Sequence, residues 1–218
     1  MAVRKIITRQ KYKPVTVVMY KMDYDIAMLV YRRFTAIGLS DEEVSFLMGQ
    51  RNKYVFDLLN PTQKNKFKTE HLDILPTILE CGIRTLVPNE INANKDIILR
   101  GVKKVTGKKV VYDYAVIQPD GTAIAQPPVV KQIVTGYRKI LHPEVHALTM
   151  SLIKNGHFDE PKNALELYLF YKHNLNVDFR PVDLQKSIAM CLRNGKVGEP
   201  LLVEQRVEAR YIYKLRSG

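Results

Sequence analysis

Residues 38–61 carry the pattern that most constrains the fold of this chain. Ser40 followed by Glu43 is a capping box, in which each side chain satisfies a free backbone donor at the start of a helix. The apolar positions that follow recur at helical spacing and are Val44, Leu47 and Met48. Gly49 then stands where the end of a helix needs a left-handed residue. The pattern predicts a short helix that ends at a tight turn.

A second short helix is predicted over residues 52–59. Its inner face would consist of Val55, Leu58 and Leu59. Pro61 ends this helix, because proline disfavours the helical conformation in the residue before it. Two short helices joined by a tight, glycine-containing turn form a helix-turn-helix unit.

This stretch resembles the DNA-binding segment of the Cro/phage-repressor-like helix-turn-helix family. The residues that match the family pattern are Gly38, Leu39, Ser40, Glu42, Glu43, Val44, Ser45, Gly49, Val55, Leu58 and Asn60. The resemblance implies a bundle in which residues 23–37 form the first helix and residues 69–81 form the last. It also implies that the helix over residues 52–59 reads double-stranded DNA.

The candidate DNA contacts lie around the start of that helix. By the resemblance, the side chains that would face DNA are Arg51, Asn52, Lys53 and Tyr54, and those that would touch phosphates after the helix are Lys64 and Lys66. Cationic and amide groups suit base edges and phosphates. Asp41, Phe56 and Asp57 do not suit a surface that faces a polyanion. These three residues favour the alternative that the motif binds protein.

The excess of positive charge favours a nucleic-acid partner. The chain has 34 Lys and Arg against 22 Asp and Glu, a formal net charge of +12. Clustered cations attract phosphates in any fold. Residues 1–22 contain several cations and no acid, and residues 15–20 are rich in β-branched side chains and predict a strand. This segment could lie along DNA as a basic arm, or it could form an edge strand that pairs with another chain.

Residues 87–141 predict a β-rich linker. One proline and three asparagines at its start show no periodicity, and β-forming side chains follow in runs separated by turn residues. The cations on the first predicted hairpin are Arg100, Lys103, Lys104, Lys108 and Lys109. They could form a phosphate-facing ribbon or a solvated face, and the solvated face is favoured because lysines are common on exposed strands.

Residues 142–218 predict three helices followed by a two-stranded hairpin. Prolines open the helices, since proline fits the first helical turn. This order of elements is similar to that of winged-helix regulators, in which a hairpin follows the recognition helix. By that resemblance, the candidate DNA contacts are Arg180, Gln185, Lys186 and Arg193 on the third helix, and Arg206 and Arg210 on the hairpin. The alternative is a winged-helix shape that packs or dimerises.

The sequence shows no catalytic or metal-binding pattern. Cys81 and Cys191 lie far apart and indicate neither a disulfide framework nor a zinc site. His142 and His146 lack the order of the zinc-protease motif, and no glycine-rich phosphate loop is found. We therefore expect a protein that is not an enzyme and needs no metal or cofactor. Without a signal peptide or an apolar run that spans a bilayer, we expect a cytoplasmic protein with no membrane partner.

Together these patterns predict a mainly α protein with small antiparallel β elements, organised as a repressor-like helical bundle plus a winged-helix-like domain. The predicted domains are residues 1–86 with the basic arm, the linker 87–141, and residues 142–218. The predicted function is sequence-specific DNA binding in transcription regulation, by a homodimer that reads DNA with the helix over residues 52–59. The alternative is an adaptor whose degenerate helix-turn-helix domains bind protein partners.

Overall fold

The computed structural model describes residues 11–89, 95–106, 109–118, 120–132, 141–192 and 201–216. Residues 1–10 of the predicted basic arm, and the candidate residues Lys108 and Arg193, lie outside the described residues. The chain divides into two compact units, and each is described by itself. Unit 1 comprises Met1–Ile37 and Phe56–Tyr137, and unit 2 comprises Gly38–Val55 and Arg138–Gly218.

Unit 1 is built on an antiparallel sheet. Its strands are β1 (Lys11–Tyr20), β2 (Asp96–Thr106), β3 (Lys109–Ile117), β4 (Ala123–Ala125) and β5 (Val129–Gln132). The order across the sheet is β1-β2-β3-β4, and β5 also pairs with β3. β1 and β2 pair along their whole length, from Lys11 opposite Val105 to Tyr20 opposite Asp96. Residues 96–132 therefore belong to the sheet that β1 begins.

Helices cover one face of this sheet. The first helices in the chain are α1 (Lys21–Ala36), α2 (Asp41–Leu47), α3 (Tyr54–Leu59), α4 (Thr69–Leu72) and α5 (Leu75–Ile78), of which α2 belongs to unit 2. The first residues of β2 alternate: Ile97 and Leu99 are buried, whereas Ile98 is exposed. Met28 of α1, Leu58 of α3 and sheet residues line one cavity of about 10 Å³. α1 and α3 therefore pack on the buried face.

Unit 2 combines α2 with the C-terminal part of the chain. The further elements are α6 (Pro143–Lys154), β6 (Lys162–Asn163), α7 (Ala164–Asn174), α8 (Pro181–Cys191), β7 (Leu202–Val207) and β8 (Arg210–Leu215). The three strands form an antiparallel sheet in the order β6-β8-β7. The fully buried side chains of this unit include Val44, Phe158, Leu167, Tyr171 and Leu184. Since α2 contacts α7 and α8, residues 38–55 share a core with residues that follow position 138.

The local signals around α2 are confirmed. The backbone N–H of Glu43 donates to Ser40 Oγ at 3.2 Å, and the backbone N–H of Ser40 donates to Glu43 Oε2 at 2.9 Å. Gly49 has a φ of +67°, in the left-handed region that favours glycine. Each of these features depends on residues within one helical turn, which is why the sequence pattern suffices to predict it.

The predicted fold class, mainly α with small β elements, is wrong. The structure is mixed α/β, 42% helical and 26% strand, with a sheet of five antiparallel strands. The physical reason is that β1 pairs with a strand that begins 76 residues after Tyr20, and local periodicity carries no information on such a pairing. The residues predicted as a linker supply four of the five strands.

Two further features differ from the sequence expectations. The helix predicted over residues 69–81 is two short helices, α4 and α5. The predicted domain boundaries at residues 86 and 141 do not coincide with the two units, because residues 38–55 group with the C-terminal part. None of the helices in the described part of the chain is long and apolar enough to cross a bilayer.

Candidate nucleic-acid interface

The turn between α2 and α3 is bonded to the β7–β8 hairpin within unit 2. The backbone N–H of Tyr211 donates to the carbonyl of Gly49 at 2.8 Å. Gln50 Nε2 donates to the carbonyl of Ala209, and Arg51 Nε donates to Tyr211 Oη at 2.8 Å. The predicted DNA contact Arg51 therefore has an intramolecular partner, although its side chain stays exposed.

Candidates from the two predicted DNA-binding motifs meet beside this turn. Gln185 Nε2 of α8 donates to Asn52 Oδ1 at 2.8 Å. Arg51, Asn52 and Gln185 line an open cavity of about 350 Å³, together with Phe46, Gln50, Glu204, Tyr211 and Tyr213. Burial raises the pKa of the Glu204 carboxyl, and the Arg51 guanidinium partly opposes that rise. The two motifs thus form one polar surface, in which Asn52 and Gln185 bond to each other.

The predicted contacts Arg180 and Lys186 take part in ion pairs within unit 2. Arg180 Nε donates to Glu43 Oε1 at 3.0 Å, and its Nη2 donates to Glu43 Oε2 and to the Gly38 carbonyl. The Glu43 side chain is only 3% exposed. Lys186 Nζ lies 4.0 Å from Asp183 Oδ1. These contacts tie α2 to the start of α8, so Arg180 serves the packing of this unit.

Three further predicted contacts in unit 2 are exposed cations. These are Lys53 in the turn and Arg206 and Arg210 on the hairpin. Arg206 stands opposite Tyr211 in the hairpin register, and Arg210 stands opposite Val207. These three exposed cations therefore lie on a turn and a hairpin.

The short helix α3 does not offer a cationic face. Val55, Phe56, Leu58 and Leu59 are buried, and Tyr54 is half-buried. The Phe56 ring stacks on Tyr112 with 5.4 Å between centroids. The exposed residue of α3 is Asp57, a carboxylate that a polyanion would repel.

The loop after α3 holds the two predicted phosphate contacts of unit 1. Lys64 is exposed, whereas Lys66 is half-buried and its Nζ donates to the carbonyl of Pro61 at 3.1 Å. Burial lowers the pKa of the Lys66 ammonium. Lys64 is thus available to a phosphate, and Lys66 is partly engaged by its own loop.

Within the described residues, a group of lysines lies at one end of the unit 1 sheet, where β2 ends at Thr106 and β3 begins at Lys109. We call it the lysine end, and its members are Lys11, Lys13, Lys103, Lys104, Lys109 and Lys131. Lys13 stands directly opposite Lys103, and Tyr12 stands opposite Lys104. Lys109 is opposite Thr106 and Gln132, and Lys131 is opposite Val110. Four strands therefore contribute lysines to one end of one sheet.

Two of these lysines, Lys103 and Lys131, lie over aromatic rings, and Lys131 is buried, with 6% of its surface exposed. Lys103 Nζ lies 5.6 Å from the Tyr112 ring centroid, and Lys131 Nζ lies 4.9 Å from that of Phe56. Lys104 Nζ pairs with Asp113 Oδ2 at 2.6 Å. Burial, and secondarily the Asp57 charge, raises the pKa of the Tyr112 hydroxyl, so this ring stays neutral. Aromatic faces hold ammonium groups by cation–π attraction without neutralising their charge.

An open groove of about 620 Å³ borders the lysine end. Residues from β1, β2, β3 and the loop after α3 line it: Pro14, Val15, Thr16, Val17, Val18, Thr62, Lys103 and Tyr112. The groove thus leads from the edge of the sheet to the Lys103 ammonium.

The net charge is unevenly divided between the units. Unit 1 has 19 Lys and Arg against 10 Asp and Glu, and unit 2 has 15 against 12, so +9 of the formal +12 belongs to unit 1.

No protein-family model, curated protein or solved structure matches the chain. The functional argument therefore depends on the charge and geometry of these residues.

Most lysines of the lysine end stand out in the sequence, but the sequence does not predict that they lie together. Lys11 and Lys13 belong to the expected basic arm, and Lys103, Lys104 and Lys109 belong to the expected hairpin. Lys131 is missed, because a single cation in a short strand carries no pattern of its own. A signal that could have found the group is the match in length and β-propensity between residues 11–20 and residues 96–106.

Proposed function

We propose that this protein binds double-stranded DNA and contacts its phosphates with the lysine end of unit 1. One observation carries the proposal: strand register gathers six lysines from four strands at one end of a single sheet. Like charges placed directly opposite each other, such as Lys13 and Lys103, destabilise a sheet. A polyanion that binds there offsets this repulsion and releases its own counterions.

The width of the lysine end indicates which part of DNA it would contact. Neighbouring strands are about 4.8 Å apart, so β1, β2, β3 and β5 side by side span about 14 Å. The major groove is about 12 Å wide and admits a ribbon of two strands. A four-stranded edge therefore lies across the backbone rather than inside the groove. Lysines in such a position bind phosphates and carry little base specificity.

The exposed cations of unit 2 supply further contacts in this proposal. Lys53, Arg206 and Arg210 are exposed members of the predicted set there; Arg51 and Arg180 are exposed too, but they bond to Tyr211 and Glu43 within the unit. Base reading by the helix over residues 52–59 gains no support, because the exposed side chain on α3 is that of Asp57. Regulation of transcription by occupying DNA is the biological role that the resemblance to repressors implies.

A salt titration tests the proposal. Binding of a labelled 30-base-pair duplex is followed by fluorescence anisotropy at several salt concentrations. Each phosphate contact contributes about 0.9 to the slope of log Kobs against log salt concentration. The variant Lys103→Gln/Lys109→Gln should therefore have a slope that is smaller by about 1.8.

A matched pair of single variants provides the control. Lys109→Gln removes an exposed cation at the start of β3, opposite Thr106 at the end of β2. Lys95→Gln removes an exposed cation just before Asp96, at the other end of β2. Lys109→Gln should reduce the slope by about 0.9, and Lys95→Gln should leave it unchanged. Equal slopes for the two variants, or no binding by the unmodified protein at low salt, would remove the lysine end from the proposal.

The adaptor alternative has its own supporting observation. On the sheet face that is not covered by helices, Val18 is 62% exposed, Tyr20 is 57% exposed and Ile98 is 40% exposed. Val18 and Ile98 stand directly opposite each other, which makes the apolar surface continuous. Exposed apolar patches mark interaction surfaces. The DNA titration separates the two candidates, because an adaptor leaves the duplex unbound at low salt.

A further inference from the structure

β1 forms one edge of the unit 1 sheet. The strand order begins with β1, which pairs with β2 along ten residues. Within the described ranges, no other strand pairs with β1. An edge strand presents a row of backbone N–H and C=O groups that can pair with another chain.

The register shows which backbone groups point outward. The N–H of Lys21 donates to the carbonyl of Lys95 at 2.9 Å, and this pair continues the β1–β2 register by one residue. Backbone groups of successive residues point to opposite sides of a strand. The odd-numbered residues of β1 therefore bond to β2, and the N–H groups of Thr16, Val18 and Tyr20 point to the open edge. Pro14 belongs to the outward set, where its missing N–H costs no bond to β2.

The side chains of this edge suit pairing with a neutral, β-forming segment. Residues 14–20 contain no charged side chain, and cations flank them at positions 11, 13 and 21. Thr16, Val18 and Tyr20 are exposed. The strand lacks inward-pointing charges and central lysines, two of the features that keep edge strands apart, and its one edge proline, Pro14, lies at the start of the neutral segment.

We propose that β1 pairs with β1 of a second copy of this chain, antiparallel and about a two-fold axis between positions 16 and 18. In this arrangement every outward N–H of residues 16, 18 and 20 meets a carbonyl of the same outward set. The neutral centres face each other, so that no like charges meet in the middle of the pairing. The partner is a second copy because the same neutral segment, in the same strand, satisfies both sides.

Repulsion between the two lysine ends favours an antiparallel pair of β1 strands over a parallel pair. A parallel pair would set two lysine ends side by side. In the antiparallel pair, the two copies of residue 13 are six to ten residues apart in register, which is about 20–34 Å. That distance exceeds the Debye length of about 10 Å at 0.1 M salt, so the two lysine ends barely repel each other. The pairing does not depend on the DNA-binding proposal.

A cysteine scan along β1 tests the pairing in the full-length protein. Single cysteines replace residues 14–20 one at a time in a background that carries Cys81→Ser and Cys191→Ala, and disulfide formation is followed under mild oxidation. In a two-fold antiparallel pair, only the residue on the axis faces its own copy. Cross-linked dimer should therefore reach one maximum between positions 16 and 18 and fall on both sides. Val15→Cys, on the same strand as Val17→Cys, serves as the matched control that should give no cross-linked dimer.

Other outcomes of the scan contradict the proposal. Cross-linking of equal yield along the whole strand indicates a parallel pair, and no cross-linking at any position indicates that another partner or no partner takes the edge. Sedimentation of the unmodified protein is an independent measurement, since it needs no substitution. The mass should rise with concentration from 25.1 kDa towards twice that value. In Val18→Pro, which removes an outward N–H and spares the bonds to β2, the mass should stay at 25.1 kDa, whereas Val18→Ala should behave as the unmodified chain.

Discussion

At the scale of single residues, Gly101 in β2 has the least room for a side chain among the described glycines. A Cβ at this position would lie 2.0 Å from the carbonyl oxygen of Asp113 and 2.7 Å from the ring of Tyr114. Tyr114 in turn stacks on Tyr112 with 6.0 Å between centroids. The missing side chain of Gly101 therefore leaves the space that the aromatic stack of β3 occupies.

Substitution of Gly101 should weaken the fold. Gly101→Ala forces backbone or ring displacement, and overpacking of this kind costs about 1–3 kcal/mol of unfolding free energy. Gly82→Ala is the control, because nothing lies within 4 Å of its Cβ position and its φ of −76° suits any residue. Urea denaturation should show a lower midpoint for Gly101→Ala alone. Equal midpoints would mean that β2 adjusts without cost.

Ser45 provides a second test at this scale. Its hydroxyl accepts a hydrogen bond from the backbone N–H of Val55 at 3.0 Å and donates to the carbonyl of Asp41 at 2.6 Å. Ser45→Ala leaves a buried donor without its acceptor, which costs about 1–3 kcal/mol. Ser151→Ala, at an exposed serine, should change the unfolding free energy by less than about 0.5 kcal/mol. Similar losses in both variants would show that the Val55 N–H finds another acceptor.

The residue-scale features that sequence predicts are those with partners nearby in the chain. The Ser40–Glu43 capping box and the left-handed Gly49 are of this kind and are confirmed. The partners of Arg51, Asn52 and Arg180 lie more than 130 residues away from them. No local pattern reveals such partners, so side chains assigned to DNA at the sequence level bond within the protein.

At the scale of elements, the ion pair of Arg180 with Glu43 fixes α2 against the start of α8. Glu43 is nearly buried, so loss of its partner leaves a carboxylate that water barely solvates. The Arg180 side chain is 55% exposed, which reduces the strength of the pair by solvent screening.

Removal of this pair should loosen α2. Arg180→Met should lower the unfolding free energy by about 1–3 kcal/mol, less than for a fully buried pair because of that screening. Lys162→Met removes the surface pair with Glu160, whose side chain is 85% exposed, and should cost less than about 1 kcal/mol. Thermal unfolding of both variants measures the difference. A larger loss in Lys162→Met would contradict the role given to Arg180.

Elements are predicted from sequence more completely than their arrangement. α1, α2, α6, α7 and α8 follow from apolar periodicity and caps, because helical contacts lie within four residues. Strand pairing is not local, and the turn residues that mark the β2–β3 hairpin do not reveal that β2 also pairs with β1. The sequence therefore showed the separate basic segments that form the lysine end, but it did not show that they lie together at one end of the sheet.

At the scale of the whole molecule, both units are assembled from separate parts of the chain. Unit 2 needs residues 38–55 as well as the residues after 138, since α2 packs on α7 and α8. The boundary at residue 142 that the sequence suggests would leave Val44 and Glu43 without their contacts and would expose the faces of α7 and α8 that α2 covers.

Fragments should reflect this division. Residues 142–218 expressed alone should give poorly dispersed amide signals in a ¹H–¹⁵N spectrum. Residues 38–55 joined by a flexible Gly/Ser linker to residues 138–218 should give a dispersed spectrum, because the apolar face of α2 then covers its partners. Equal dispersion for both fragments would show that α2 is dispensable for this core.

Because α7 and α8 are synthesised long after α2, the apolar face of α2 stays uncovered during part of translation. Translation proceeds at about 5–20 residues per second, so α8 leaves the ribosome roughly 7–28 s after α2. During that interval Val44, Phe46 and Leu47, which are buried in the finished protein, meet water on the nascent chain. During synthesis, α2 therefore lacks its packing partners until the C-terminal third of the polypeptide has been made. Chaperones that hold apolar segments can bind α2 in that interval.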